Sequence, residues 1–206
     1  MGIKELKKTQ SFQTIKDGVW RDHPVFSMIL GICSALAVSN RLENAIAMGA
    51  GVTFVLVSTA IIIALLRNMI PRRVRMIAYM ITIASFVIIV DRFLKAFFPT
   101  ISESIGPYVG LIITNCIIMG RAEAFYIQNR LSQSILDSIA NGIGYTLALG
   151  LISIVREILG FGTILGYKVT PAGWTNWVVM AMAPGAFFVL ALFIWVSRTL
   201  AKMESE

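Results

Sequence analysis

Charge is what this sequence has least of. Asp, Glu, Lys and Arg make up 14% of its residues, against about 25% in an ordinary soluble domain. With 57% hydrophobic residues and a mean hydropathy of +0.78, this balance excludes a water-soluble globule and indicates an integral membrane protein. The N-terminal stretch MGIKELKKTQSFQTIKDGVW is charged, and it lacks the apolar run and small-residue cleavage site of a signal peptide. Also missing is any basic stripe interleaved with aromatics. The net charge of +7 is therefore read as loop charge of a membrane protein, and nucleic acid is excluded as a partner. Cysteine is rarer still, with only Cys33 and Cys116, and histidine occurs once, at His23.

What is present is a series of apolar runs separated by charged turns. Residues 1–22 read as a cytoplasmic tail anchored by Lys4, Lys7, Lys8, Lys16 and Arg21. A first segment, Pro24 to Val38, is short for the roughly 20 residues a helical crossing needs and is interrupted by glycine. A full span from Ala45 to Leu66 opens on Met48-Gly49-Ala50-Gly51, small residues suited to close helix packing. After a basic turn at residues 71–75, a third span runs from Met76 to Val90, with a far end between there and Phe98 blurred by Asp91 and Arg92. The second half repeats the order: a short segment from Ile105 to Gly120, a full span from Ile139 to Val155 closed by Arg156-Glu157, and a last span from Trp177 to Leu200. The Gly160 to Asn176 connection reads as an ordered interfacial loop. The expected fold is all-α, with a tail at 1–22, one three-span repeat at 23–98, a second at 99–202 and a short tail at 203–206.

Thirteen of the eighteen basic residues fall with the two termini and the loops after spans two and four; the other five are Arg41, Arg92, Lys95, Arg156 and Lys168. The positive-inside rule puts the thirteen, and both termini, in the cytoplasm. Three spans per half make the second copy enter from the opposite face, so the halves form inverted repeats. Paired short segments in such folds are broken helices whose breaks meet near the midplane. Here those are the first and fourth segments, which carry the two cysteines 83 positions apart.

Two central cysteines admit three readings. They are small buried hydrophobes, a disulfide, which is uncommon at that depth, or thiolate ligands of an iron-sulfur group. A cluster generally takes four cysteines, so a partner must supply two. Each cysteine is followed by an Arg-x-Glu exit, Arg41-x-Glu43 and Arg121-x-Glu123. These exits either stabilise cluster charge or, as preferred here, support the helix breaks and neutralise each other at loop ends. His23 reads as interfacial, Trp174, Trp177 and Trp195 as an aromatic belt, and the ten methionines as packing.

The strings TNCIIMGRAEAF, GICSALAVS, ASFVIIVD and REILG resemble the paired membrane subunits of the bacterial Nqr and Rnf complexes, and the likeness runs from about Trp20 to Thr199. GRAEAF, at residues 120–125, is the specific signal. It marks the D-type subunit of the sodium-translocating NADH:quinone oxidoreductase and its counterpart, the E-type subunit of the Rnf ferredoxin:NAD oxidoreductase. The sister type (Nqr E, Rnf A) shares the six spans but lacks that string. CSALAVS and the IVD ending of span three favour the Nqr form, GVWRDHPVF is closer to Rnf, and the balance leans to Nqr.

The resemblance implies a pseudo-symmetric heterodimer with the sister subunit around an intramembrane 2Fe-2S cluster, two cysteines from each chain. Carried over by motif these are Cys33 and Cys116, with Asn115, Arg121, Glu123, Arg41 and Glu43 as supports. It also implies electron transfer across a bacterial inner membrane coupled to Na+ or H+ transport, with flavins, further iron-sulfur clusters and the NADH, ferredoxin and quinone sites on other subunits of the translocase. No Gly-rich dinucleotide fingerprint or flavinylation-like motif occurs on this chain. Asp91 and Asp137, carboxylates at the ends of apolar runs, are candidates for the ion path, against the plainer roles of a pair with Arg92 and a helix N-terminal charge. A second functional class stays open: a secondary transporter or channel whose cysteines are incidental.

Overall fold

The computed structural model describes residues 30–67, 69–71, 73–164, 167–168 and 177–203. The basic tail, His23, the first segment before residue 30, Trp174 and residues 204–206 lie outside the described residues. The elements are α1 (Ile32–Val38), α2 (Leu42–Leu66), α3 (Arg75–Phe97), α4 (Pro99–Ile113) and α5 (Cys116–Arg121), which runs into a π-helical turn, Ala122–Tyr126. There follow α6 (Leu131–Phe161), a ladder of β1 (Thr163–Ile164) with β2 (Tyr167–Lys168), α7 (Val178–Ala181) and α8 (Ala183–Met203). Apart from that two-residue ladder, the regular structure of the described chain is helical.

Among the described residues, four stretches are long and apolar enough to cross a membrane: Leu42–Leu66, Arg75–Phe97, Gly106–Tyr126 and Leu131–Phe161. Ala183–Thr199 is a shorter apolar helix. Polarity is arranged inside out. Ile81, Ile88, Phe93, Leu147, Phe188 and Trp195 are exposed, while Ser34, Asn115, Asp137, Asn141, Arg156 and Glu157 are buried. A bilayer solvates the first set, and the second finds partners only within the protein.

The third, fourth and fifth spans differ from the sequence expectation, and the last, expected to run from Trp177 to Leu200, is interrupted at Met182. The third span does not blur at Asp91, because Lys95 one turn further on takes that carboxylate at 2.6 Å, and the helix continues to Phe97. Arg92 is not its partner. The fourth segment starts at Pro99 rather than residue 105, after a single corner residue, Phe98. A proline at the first helical position suits such a start, since its missing N–H is not needed there.

The fifth span is the largest revision. It extends over 31 residues, Leu131 to Phe161, or about 46 Å at 1.5 Å per residue. Asp137 therefore does not precede the helix, and Arg156-Glu157 do not close it. Glu157 accepts the Leu42 N–H at 2.9 Å, capping α2 from another helix. Gly162, at φ 68°, ends α6 with its N–H on the carbonyls of Glu157 and Ile158.

Helices α2 and α6 form the central antiparallel pair. Gly49 of α2 lies under Thr146 of α6, and Gly142 of α6 lies under Thr53 of α2; a Cβ at either glycine would stand 2.7 or 2.6 Å from the facing threonine. Each threonine hydroxyl donates to the carbonyl four residues earlier in its own helix, Thr53 to Gly49 and Thr146 to Gly142. This satisfies the polar atom and lets the side chain fill the groove that the facing glycine opens. At one end of the pair, the Arg67 guanidinium donates to the Asn129 carbonyl at 2.9 Å, drawing together the turns after α2 and before α6.

Candidate functional site at two helix breaks

Two non-helical junctions meet beside the middle of α6. One precedes α1 at Gly31, whose φ of 80° is accessible to glycine at little cost. A side chain would also have no space there, since a Cβ would lie 2.7 Å from the Ile117 Cδ1 and 3.0 Å from the Tyr145 ring. The other is Thr114-Asn115, between α4 and α5, where Asn115 turns extended and its Oδ1 accepts the Ile117 N–H at 3.1 Å. Asn115 thus caps the half-helix that begins at Cys116.

The breaks are tied together by side chains. Ser34 donates to the Gly31 carbonyl at 3.0 Å and shares a 2.6 Å hydrogen bond with the Tyr145 hydroxyl. Asn115 Nδ2 donates to the same Ser34 Oγ at 3.3 Å. Ser34, Asn115 and Tyr145 are all fully buried. Across 85 positions of sequence, the Gly31 N–H donates to the Cys116 Sγ at 2.8 Å.

The Cys116 sulfur therefore lies against the backbone two residues before Cys33, and the two cysteines are neighbours. Both are free thiols; Cys33 is exposed on the surface of this chain and Cys116 partly so. Among the described residues no group of three or more His, Cys, Asp or Glu side chains is placed to hold a metal. Two adjacent, outward-facing thiols with a backbone N–H on one sulfur fit half of a four-thiolate site.

The charged exits take other partners than those expected. Arg121 and Glu123 lie on a continuous helix, so two residues of separation points them apart. Arg121 grips both carboxylate oxygens of Asp137, with Nε to Oδ2 at 2.9 Å and Nη2 on Oδ1, and it stacks over the Phe125 ring at 5.1 Å. Glu123 accepts from Arg75 at 3.0 Å and from the Tyr79 hydroxyl at 2.9 Å. Arg41 and Glu43 are exposed, and the salt bridges of the described residues do not join them. Glu43 instead stands in an apolar groove of about 580 Å³ between α2 and α3.

Several contributors are not evident from the sequence. Tyr145 gives no signal beyond being polar in mid-span. Arg156 is 1% exposed and donates to Ser39 Oγ at 2.6 Å and to the carbonyls of Leu36, Met180 and Met182. It thus ties the end of the Cys33 half-helix to a third break, at Met182 between α7 and α8. Its one signal in the sequence is an arginine beside an apolar window, which equally suits the end of a span.

Comparisons with known proteins point to a family of membrane proteins. The family description "Rnf-Nqr subunit, membrane protein" matches residues 11–194. Similar proteins are named as the D subunit of Na(+)-translocating NADH-quinone reductase. That of Chlamydia trachomatis serovar L2 is 46% identical over 190 residues, 87% of this chain and 89% of the relative. That of Chlamydia felis is 43% identical over 200 residues, covering 92% and 94%, and that of Psychromonas ingrahamii 45% over 191 residues, covering 90% of each. On a match spanning residues 11–194, this multi-pass membrane chain belongs to the Rnf-Nqr family.

Proposed function

We propose that this chain is the D-type membrane subunit of a sodium-translocating NADH:quinone oxidoreductase, an electron-carrying part of a redox-driven ion pump. The single observation that carries this reading is the meeting of the Cys33 and Cys116 segments at the starts of two helices, with the Gly31 N–H on the Cys116 sulfur. These two thiolates hold one side of a 2Fe-2S cluster, and a six-span sister subunit supplies the other two. Bound there, the cluster supplies one-electron transfer within the membrane. The exposure of Cys33 on this chain is what sharing with a second chain requires. The D-type names of the relatives support the Nqr form over Rnf.

The fold belonging to this reading has six segments in two inverted repeats, 23–98 and 99–202, in a bacterial inner membrane with both termini cytoplasmic. The reciprocal fit of Gly49 under Thr146 and Gly142 under Thr53 supports it, since a two-fold axis between the helices interchanges the pairs. Further support comes from the contact of Arg67 with Asn129, which joins two turns assigned to one side, and from the placement of the breaks beside Tyr145, close to the midpoint of α6.

The test is turnover of the purified complex after Cys33→Ser or Cys116→Ser. Each variant is expected to lose NADH-driven quinone reduction while the flavins and iron-sulfur groups of other subunits stay in place. Full turnover in either variant would overturn the reading.

A further inference from the structure

We infer that Ser34, Tyr145 and Asn115 are positioning residues that aim the Gly31 N–H at the Cys116 sulfur and thereby raise the reduction potential of the iron group it ligates. This rests on the reading of Cys33 and Cys116 as cluster ligands.

The proton inventory of Ser34 leaves one arrangement. A hydroxyl has one hydrogen to donate and two lone pairs to accept. The Gly31 carbonyl can only accept and the Asn115 Nδ2 can only donate, so Ser34 gives its hydrogen to Gly31 and receives one from Asn115. The Tyr145 hydroxyl must then be the donor in the 2.6 Å contact, and it fills the second lone pair. Ser34 is saturated by three partners, Gly31 before α1, Asn115 before α5 and Tyr145 on α6.

Gly31 needs this support. A glycine is free in φ and ψ, and nothing intrinsic would keep its N–H on a sulfur. Its carbonyl is held twice, by the Ser34 hydroxyl at 3.0 Å and the Ala35 N–H at 3.1 Å. Its Cα face is packed against Ile117 and Tyr145, which leaves no room for rotation toward the side a Cβ would occupy. With the carbonyl pinned and the Cα wedged, the N–H lies 2.8 Å (nitrogen to sulfur) from Cys116. Tyr145 enters twice, through its hydroxyl on Ser34 and its ring on Gly31.

Hydrogen bonds to ligating sulfurs are among the factors that set cluster potentials. An N–H donated to a thiolate withdraws charge from it and favours the more negative, reduced state, so the potential rises. Cys33 lies on α1 itself, and the same network fixes that half-helix against α5. Disturbing Ser34 or Tyr145 therefore alters the electronic environment of the site without removing a ligand.

The test is a redox titration of the purified complex followed by electron paramagnetic resonance, with Tyr145→Phe and Ser34→Ala beside the unmodified protein. Both variants are expected to keep the cluster signal and to shift its midpoint to more negative values, Ser34→Ala by more because it loses the carbonyl bond directly. Pulsed resonance on complex labelled with 15N-glycine is expected to show a backbone nitrogen coupling that weakens in Tyr145→Phe, which retains the ring. An unchanged midpoint in the assembled variants, or no glycine nitrogen coupling in the unmodified complex, overturns the inference, the second result without any variant. Retention of the cluster signal in Cys116→Ser would instead overturn the ligand assignment beneath it.

Discussion

Thr146 rests on Gly49 so closely that a methyl group on that glycine would stand 2.7 Å from its side chain. The same relation holds between Thr53 and Gly142 on the opposite helices. Close approach of this kind drives helix association in a membrane, where apolar burial contributes little between helices. Gly49→Ala and Gly142→Ala are each expected to destabilise the protein by about 1–3 kcal/mol, the usual range for overpacking. Adding Thr146→Ala should recover most of the loss for Gly49→Ala and none of it for Gly142→Ala. Denaturation midpoints of the single and double variants check this, and recovery of both glycine variants by the one threonine change would contradict the pairing.

Asp137 is 1% exposed and held by Arg121. Removing one partner of such a buried pair costs about 3–5 kcal/mol, since the other charge is left uncompensated. Asp137→Ala is therefore expected to lower the yield and thermal stability of the assembled complex, and Arg121→Met with Asp137→Leu together should be milder than either alone. A loss in the double variant equal to the sum of the two single losses, measured by thermal inactivation, would show that the pair does not act as a unit.

An ion-path role for acidic residues is a separate proposal. Asp91, paired with exposed Lys95, and Asp137, paired with Arg121, sit on different spans. If they guide the cation, Asp91→Asn and Asp137→Asn raise the sodium concentration for half-maximal turnover while iron content stays normal. An unchanged sodium dependence in both assembled variants removes them from the path.

The proposed orientation predicts that reporter fusions at residue 1 and at residue 206 both read out in the cytoplasm. The distribution of thirteen basic residues against five motivates this. A periplasmic readout from either end would contradict it.

The cysteine pair is legible in the sequence as two short apolar segments with one cysteine each, which the hydrogen bond from Gly31 to Cys116 brings together. The close packing of Gly49 is legible too, as a small-residue opening of a span, but its partner is not. Thr146 is 97 positions away, and only the antiparallel register of α2 and α6 brings it over that glycine. The charged exits mislead for a related reason. Pairing Arg121 with Glu123 assumes a loop end, whereas α5 runs on without interruption into the π-helical turn, and residues two apart on a helix face different neighbours. Their partners, Asp137 and Arg75, come from other helices. Arg156-Glu157 resemble the end of a span because charge beside an apolar window usually marks one. They lie inside α6 because helix ends nearby offer Arg156 the carbonyls of Leu36, Met180 and Met182, and Glu157 the N–H of Leu42 at the start of α2.

The most direct measurement of the central claim is the electron paramagnetic resonance spectrum and iron content of the dithionite-reduced complex with Cys33→Ser and with Cys116→Ser. The account predicts that each change alone removes one 2Fe-2S signal and its iron, with every other cofactor signal intact. A full complement of iron and an unaltered spectrum in either variant would contradict it.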